Sequence, residues 1–194
     1  MASEHPPTSS PHPRLRRLGL GVLTAVVALA GVVALLLILQ GRDRSQLQSD
    51  PDAASGPGQV FPDQGHAHLA AGERPDAPYA SNPPTSGAHA PVEIGRDGTR
   101  VTDDQLLHAL ELGDVILLYG TPRPPAGLQA LAQQVAGPFD PALAASGQAV
   151  VLGSRPGVDG VVALAWRHML RAPTAADPAL EEFAAYWLGR GASG

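Results

Sequence analysis

Residues 101–119 read VTDDQLLHALELGDVILLY, and this stretch sets the architecture. Thr102 is placed to cap a helix, Gln105 stands where it closes a capping box, and Val101 can pack against Leu106 as a hydrophobic staple. Gly113 supplies the stop. The run Asp114 to Tyr119 that follows has the length of a buried strand and lies between glycines. A capped helix feeding directly into a buried strand predicts a sheet covered by helices.

Downstream, a second helix is expected from near Pro125, with Leu128, Leu131, Ala132 and Val135 on one face, ending at Gly137. Ala149 to Leu152 and Val161 to Leu170 read as two strands, and the Pro156 to Gly160 segment between them suits a hairpin. Alternation along the second strand puts Val162, Leu164, Trp166, His168 and Leu170 on one face. Asp177-Pro178 opens a last helix with Leu180, Phe183, Ala184 and Trp187 on one stripe, ending at Gly189. The order helix, strand, helix, strand, strand, helix predicts an α+β fold, a small sandwich with a mixed sheet of at least three strands. Its last five elements resemble the second half of a thioredoxin-like fold.

Upstream, Leu18 to Leu39 is uncharged and almost wholly apolar, and about 22 residues at about 1.5 Å each reach across a bilayer core. A cleaved signal peptide would carry a shorter apolar region followed closely by a small-residue cleavage site, whereas Gln40-Gly41-Arg42-Asp43-Arg44 follows here. The expectation is therefore a retained transmembrane helix in the cytoplasmic membrane. Arg14, Arg16 and Arg17 before it, against Arg42 and Arg44 offset by Asp43 after it, favour an inside N-terminus. The expected organisation is a cytoplasmic tail over 1–17, a span over 18–39 with the lipid bilayer as its partner, a Ser-, Asp-, Gly- and Pro-containing linker over 40–62, an extracytoplasmic domain over 63–190 and a short tail over 191–194.

Composition narrows the chemistry. The net charge is −5 and the basic residues, all Arg, form no cationic face, so nucleic acid is not an expected partner. With Cys 0 in the sequence, disulfides, thiolate ligands and thiol nucleophiles are excluded. Aromatics are 4% of residues beside 22 Gly and 20 Pro, which implies a modest core of Ala, Val and Leu with many turns.

The chemical signal is histidine. Of 7 in the chain, His66, His68, His89, His108 and His168 fall in the expected exported part. Gly65-His66-Ala67-His68 presents two imidazoles on one side of an extended segment, either as Zn²⁺ or Cu²⁺ ligands or as an exposed loop. In Asn82-Pro83-Pro84-Thr85-Ser86-Gly87-Ala88-His89, the prolines stiffen the approach and Gly87 permits a turn, so His89 emerges at a defined place, as ligand or as a hydrogen-bonded loop residue. His108 and Glu111, three apart on the capped helix, can share a side as a site or an ion pair.

The string YASNPPTSGAH, then LLHALELGDVILLY and the strand ending ALAW, resembles an uncharacterised bacterial family, domain of unknown function 3105, over roughly Gly65 to Arg190. The resemblance runs through His68, Tyr79, Pro83, Pro84, Thr85, Ser86, Gly87, His89, His108, Leu110, Glu111, Gly113 and Trp166. It departs at Ala88, where the family motif has Pro, and at Leu112, where it has a second helical His four residues after His108. The resemblance implies an extracytoplasmic, often membrane-anchored protein without an established activity.

The leading expectation is a non-enzymatic metal-binding accessory domain for copper or zinc. His68, His89 and His108 are its first ligands, His66 a substitute for the missing helical His, Glu111 a ligand or orienting group, and Met169, on the opposite strand face from His168, either a soft donor or simply core. The alternative is an interaction or scaffolding module for another envelope protein, its motif residues serving packing. A hydrolase using Ser86 with His89 is a third reading, weakened by the lack of a G-x-S-x-G elbow.

Overall fold

The computed structural model describes residues 56–192 except Ala71, all within the second of two units into which the chain divides, Leu47–Gly194. The expected tail, the span over 18–39 and most of the linker lie outside the described residues. Among those described, no helix is long and apolar enough to cross a membrane.

The helix predicted from the cap forms as α1, Asp103–Leu112, with the reciprocal box in place. Thr102 Oγ1 accepts from the Gln105 amide at 3.3 Å, and Gln105 Oε1 accepts from the Thr102 amide at 3.2 Å. Gly113 closes the helix at φ 118, a left-handed conformation that glycine adopts without steric cost. Val101 and Leu106 are both buried in one cluster, as the staple requires.

Ten elements follow in the order β1 (Gln59–Val60), β2 (Thr99–Arg100), α1, β3 (Val115–Tyr119), α2 (Leu128–Ala136), α3 (Pro141–Ala144), β4 (Val150–Ser154), β5 (Val161–Ala165), β6 (His168–Ala172) and α4 (Ala179–Trp187). The protein is α+β, with a mixed six-stranded sheet in the order β1-β6-β5-β3-β4-β2. Every residue of β3 is buried, so this strand needs neighbours on both edges and cover on both faces. It has them: β4 pairs with it in parallel and β5 antiparallel. Val115, Leu117 and Tyr119 point toward α2 and α4, while Ile116 and Leu118 point toward α1, the alternation of a strand between two layers.

Two expectations are corrected. The Pro156 to Gly160 segment does not join a hairpin, because β3 lies between β4 and β5; the segment crosses the end of β3, where an added Cβ on Gly120 would lie 2.0 Å from the Val158 carbonyl oxygen. The long strand expected over Val161 to Leu170 is a tight hairpin of β5 and β6, with Ala165 opposite His168. Its turn, Trp166-Arg167, holds Arg167 at φ 64 without a Gly or Asn, and tertiary bonds hold it there. The Arg167 amide donates to Thr85 O at 2.8 Å and its carbonyl accepts from the Phe61 amide at 2.7 Å. The turn breaks the predicted common face: Trp166 packs with the α1 layer, whereas His168 stacks on Trp187 of α4 at 3.7 Å between ring centroids.

Because α1 carries two of the candidate site residues, its cap matters to the site. Thr102→Ala removes an acceptor from the first turn and is expected to lower stability by about 1 kcal/mol. The measurement is the midpoint of denaturant unfolding; an unchanged midpoint would show that the cap contributes nothing.

Candidate metal centre

The loop that carries Pro83 to Gly87 is buried and hydrogen-bonded on both sides. Pro83, Pro84, Thr85, Ser86 and Gly87 are all buried. Ser86 Oγ donates to Pro62 O and accepts from the Gln64 amide, each at 3.1 Å. Tyr79 donates its hydroxyl to Ala88 O at 2.9 Å, and its ring lies so close to Gly87 that an added Cβ would stand 2.9 Å from two ring atoms. At φ 129, Gly87 has both a backbone and a space reason to be glycine.

Beyond that loop, the chain before it runs parallel to the chain after it. The Gly87 amide donates to Gly65 O at 2.8 Å, the His89 amide to Ala67 O at 3.1 Å and the Leu69 amide to His89 O at 2.9 Å, and His68 and His89 form a parallel bridge. This ladder brings two histidines distant in sequence side by side. It is tied to α1 where the Ala90 amide donates to Asp104 Oδ1 at 3.0 Å.

The side chains converge on one carboxylate. Glu111 Oε2 lies 3.0 Å from His68 Nε2, 3.1 Å from His89 Nε2 and 3.7 Å from His108 Nδ1, while its Oε1 lies 3.2 Å from His66 Nδ1. One donor atom from each of His68, His89, His108 and Glu111 lies within 4.8 Å of all the others. His66 is therefore no substitute within this group; it faces the carboxylate's other oxygen, and its ring meets Trp166 edge-on at 6.3 Å.

The proton inventory is unusual. His89 is fully buried, and its Nδ1 faces Gly87 O at 2.9 Å; a carbonyl can only accept, so Nδ1 carries the proton. In the neutral ring, Nε2 then carries a lone pair and lies near Glu111 Oε2, itself an acceptor. His89 Nε2 has no hydrogen-bond partner, and neither has His108 Nδ1; the 3.1 Å approach to Oε2 is close enough for an ion pair but off the direction a hydrogen bond needs. Burial, with the nearby His89, holds the His108 imidazole below its ordinary pKa. Burial alone would raise the Glu111 carboxyl, but the His68 hydrogen bond and the neighbouring imidazoles outweigh it and hold it below the usual range. A carboxylate among imidazole nitrogens is a donor set that fits a divalent cation.

Residues 72–192, well over half of the chain, match the family described as Protein of unknown function (DUF3105). The chain belongs to this family. No curated protein and no solved structure matches it. His66 and His68 precede the matched segment, so part of the convergence on Glu111 comes from chain outside it. Gly113 stops α1 immediately after Glu111 and Leu112. Leu112 lines a cavity of about 10 Å³ with His108, Glu93 and Asp114 and is not among the four residues whose donor atoms converge. Met169 is buried in the core cluster rather than among these donors, which corrects its expected part as a ligand. Ser86 and His89 spend their polar atoms separately, and no Ser–His pair forms.

Sequence reasoning did not single out Gln64, Asp104 or Asp114. The first two hold the site through backbone bonds that no spacing announces. Asp114 is buried, accepts from the Ala149 amide at 2.8 Å, and burial pushes its carboxyl up to about 7. A folded-state value above the unfolded one stabilises the fold at acidic pH, and this contribution is lost as pH rises from near 4 through about 7. Asp114→Asn, which keeps an acceptor for Ala149, is expected to gain stability relative to the native chain across that window. Urea midpoints of both at several pH values, with chelator present, should diverge as pH rises; a constant difference would contradict a raised Asp114.

Proposed function

We propose that this family member binds one divalent copper or zinc ion through His68 Nε2, His89 Nε2, His108 Nδ1 and Glu111 Oε2, as a non-enzymatic accessory domain. The observation that carries the reading is the buried His89 Nε2, without a hydrogen-bond partner among the described residues and 3.1 Å from a carboxylate oxygen. A cation between them turns an acceptor–acceptor contact into two favourable bonds. The Gly87 carbonyl on Nδ1 is the kind of outer partner that fixes a ligating imidazole's tautomer. Three imidazoles and a carboxylate without sulfur suit Zn²⁺ or Cu²⁺ and disfavour Cu⁺, which prefers thiolate and thioether.

The site sits, in this reading, outside the cytoplasmic membrane, with Leu18 to Leu39 as anchor and the N-terminus inside. The apolar run, the flanking arginines and the absence of a nearby cleavage pattern support it. The strand order β4-β3-β5-β6, with only the first pair parallel, supports a thioredoxin-like ancestry for the scaffold, although a chain without Cys carries no thiol chemistry. A second reading, a docking module for an envelope protein, draws on the exposed side chains of Val92, Leu112 and Leu143.

Full-length protein purified without a histidine tag is expected to hold one equivalent of Zn²⁺ or Cu²⁺ and to unfold at higher temperature when loaded. His89→Ala or Glu111→Gln should weaken binding by more than the roughly 10–100-fold that outer partners alone contribute. Retention should fall toward acidic pH, since protons compete for the same lone pairs. Elemental analysis showing no stoichiometric metal, or variants binding as well as the native chain, would favour the docking module. For topology, the mature protein is expected to remain in washed membranes with Leu18 to Leu39 intact; an N-terminus beginning after Gln40 would exclude the anchor.

A further inference from the structure

Resting on the metal reading above, we propose that His66 Nδ1 and Glu111 Oε1 form an outer, solvent-facing position through which the cation enters and leaves the inner group. The five side chains are layered by depth. His89 and His108 are 0% and 14% exposed at the bottom, Glu111 is 16% exposed, and His68 and His66 form a rim at 49% and 53%. The inner side is closed by the buried loop behind His89, so the rim is the side open to solvent.

The carboxylate divides its two oxygens between these layers. Oε2 is shared among the inner nitrogens, whereas Oε1 is turned to His66 at 3.2 Å. A carboxylate binds a cation through either oxygen or both. An ion caught between His66 and Oε1, with water completing its shell, can therefore pass to Oε2 and the inner imidazoles without leaving Glu111. Two protein donors hold a cation more weakly than four, so the outer position fills and empties readily. The inner position keeps the ion. Trp166 packs edge-on against His66, a contact that limits the orientations open to the His66 imidazole.

An entry port differs from a ligand in what it does to rates and equilibrium. Removing a port slows loading and release by the same factor and leaves their ratio, the affinity, unchanged; removing a ligand weakens affinity chiefly through faster release. The test uses the full-length chain, native and His66→Ala, with His68→Ala as the inner-ligand control. Zn²⁺ loading is followed by rapid mixing, release by transfer to an excess of chromophoric chelator, and affinity by equilibrium competition. His66→Ala is expected to keep one Zn²⁺ at native affinity while loading and release slow by the same factor. His68→Ala is expected to lose affinity. Unchanged or faster rates in His66→Ala, or a weakened affinity that makes His66 a ligand, would overturn the port. A native chain that takes up no Zn²⁺ would remove the metal reading itself and the port with it.

Discussion

A carboxylate that faces four imidazoles is constrained by the count of protons available to it. Each neutral ring has one N–H, and where that N–H is committed elsewhere the remaining nitrogen repels a carboxylate oxygen. His89 is in this position, since its Nδ1 proton is held by Gly87 O and its Nε2 lies 3.1 Å from Glu111 Oε2. In the metal reading, a divalent cation would remove this conflict and would also take His68 and His108 as donors. The same conflict explains why so much structure is devoted to holding these groups: left free, they would turn away from one another.

The holding structure has two halves that the sequence keeps far apart. Glu111 and His108 stand on α1, whose register is fixed by the Thr102 cap at one end and Gly113 at the other, and whose buried residues Leu106 and Leu110 lock its rotation against β3. His68 and His89 stand on the parallel ladder, which depends on the buried loop beside Tyr79 and on the Arg167 turn donating to Thr85 O. The left-handed Arg167 is therefore not a local oddity. Its amide binds the loop, its carbonyl binds the incoming chain at Phe61, and the β5–β6 hairpin thereby carries the site from the sheet's far edge.

How legible this was depended on where the determining interactions lie. The α1 cap, the β3 burial and the stripe of α4 are local patterns of period and capping, and each appears where the residues put it. The β5–β6 turn has no turn residue, because backbone bonds to Phe61 and Thr85 stabilise Arg167 from outside; single-sequence periodicity reads straight through it, and the predicted face containing both Trp166 and His168 fails for that reason. Placing β3 between β4 and β5 follows from its wholly apolar composition, which asks for two strand neighbours, yet Pro156 to Gly160 has every local mark of a hairpin. At the site, the ligand types and the i, i+3 relation of His108 and Glu111 were readable. The alignment of His68 with His89 was not, since it rests on three amide bonds whose donors and acceptors are backbone. The depth order was likewise unreadable, and it moves His66 from a replacement ligand to the rim.

The division of donors also bears on how such a site can respond to its ion. His66 and His68 lie before the matched family segment beginning at residue 72, on chain that continues backward through β1 toward the proposed linker and anchor. His89, His108 and Glu111 belong to the body of the domain. Bonds to a cation would add to the ladder a clamp between these parts, and bonds that form only when the ion is present contribute to stability by its binding free energy. The segment from Asp63 to Leu69 has mostly exposed side chains, so burial alone gives it little reason to stay in place; its backbone bonds and its histidines do. Metal loading would then be felt first in the stretch leading back to the proposed anchor, and the buried core around β3, whose contacts are complete without the ion, would be left largely as it is.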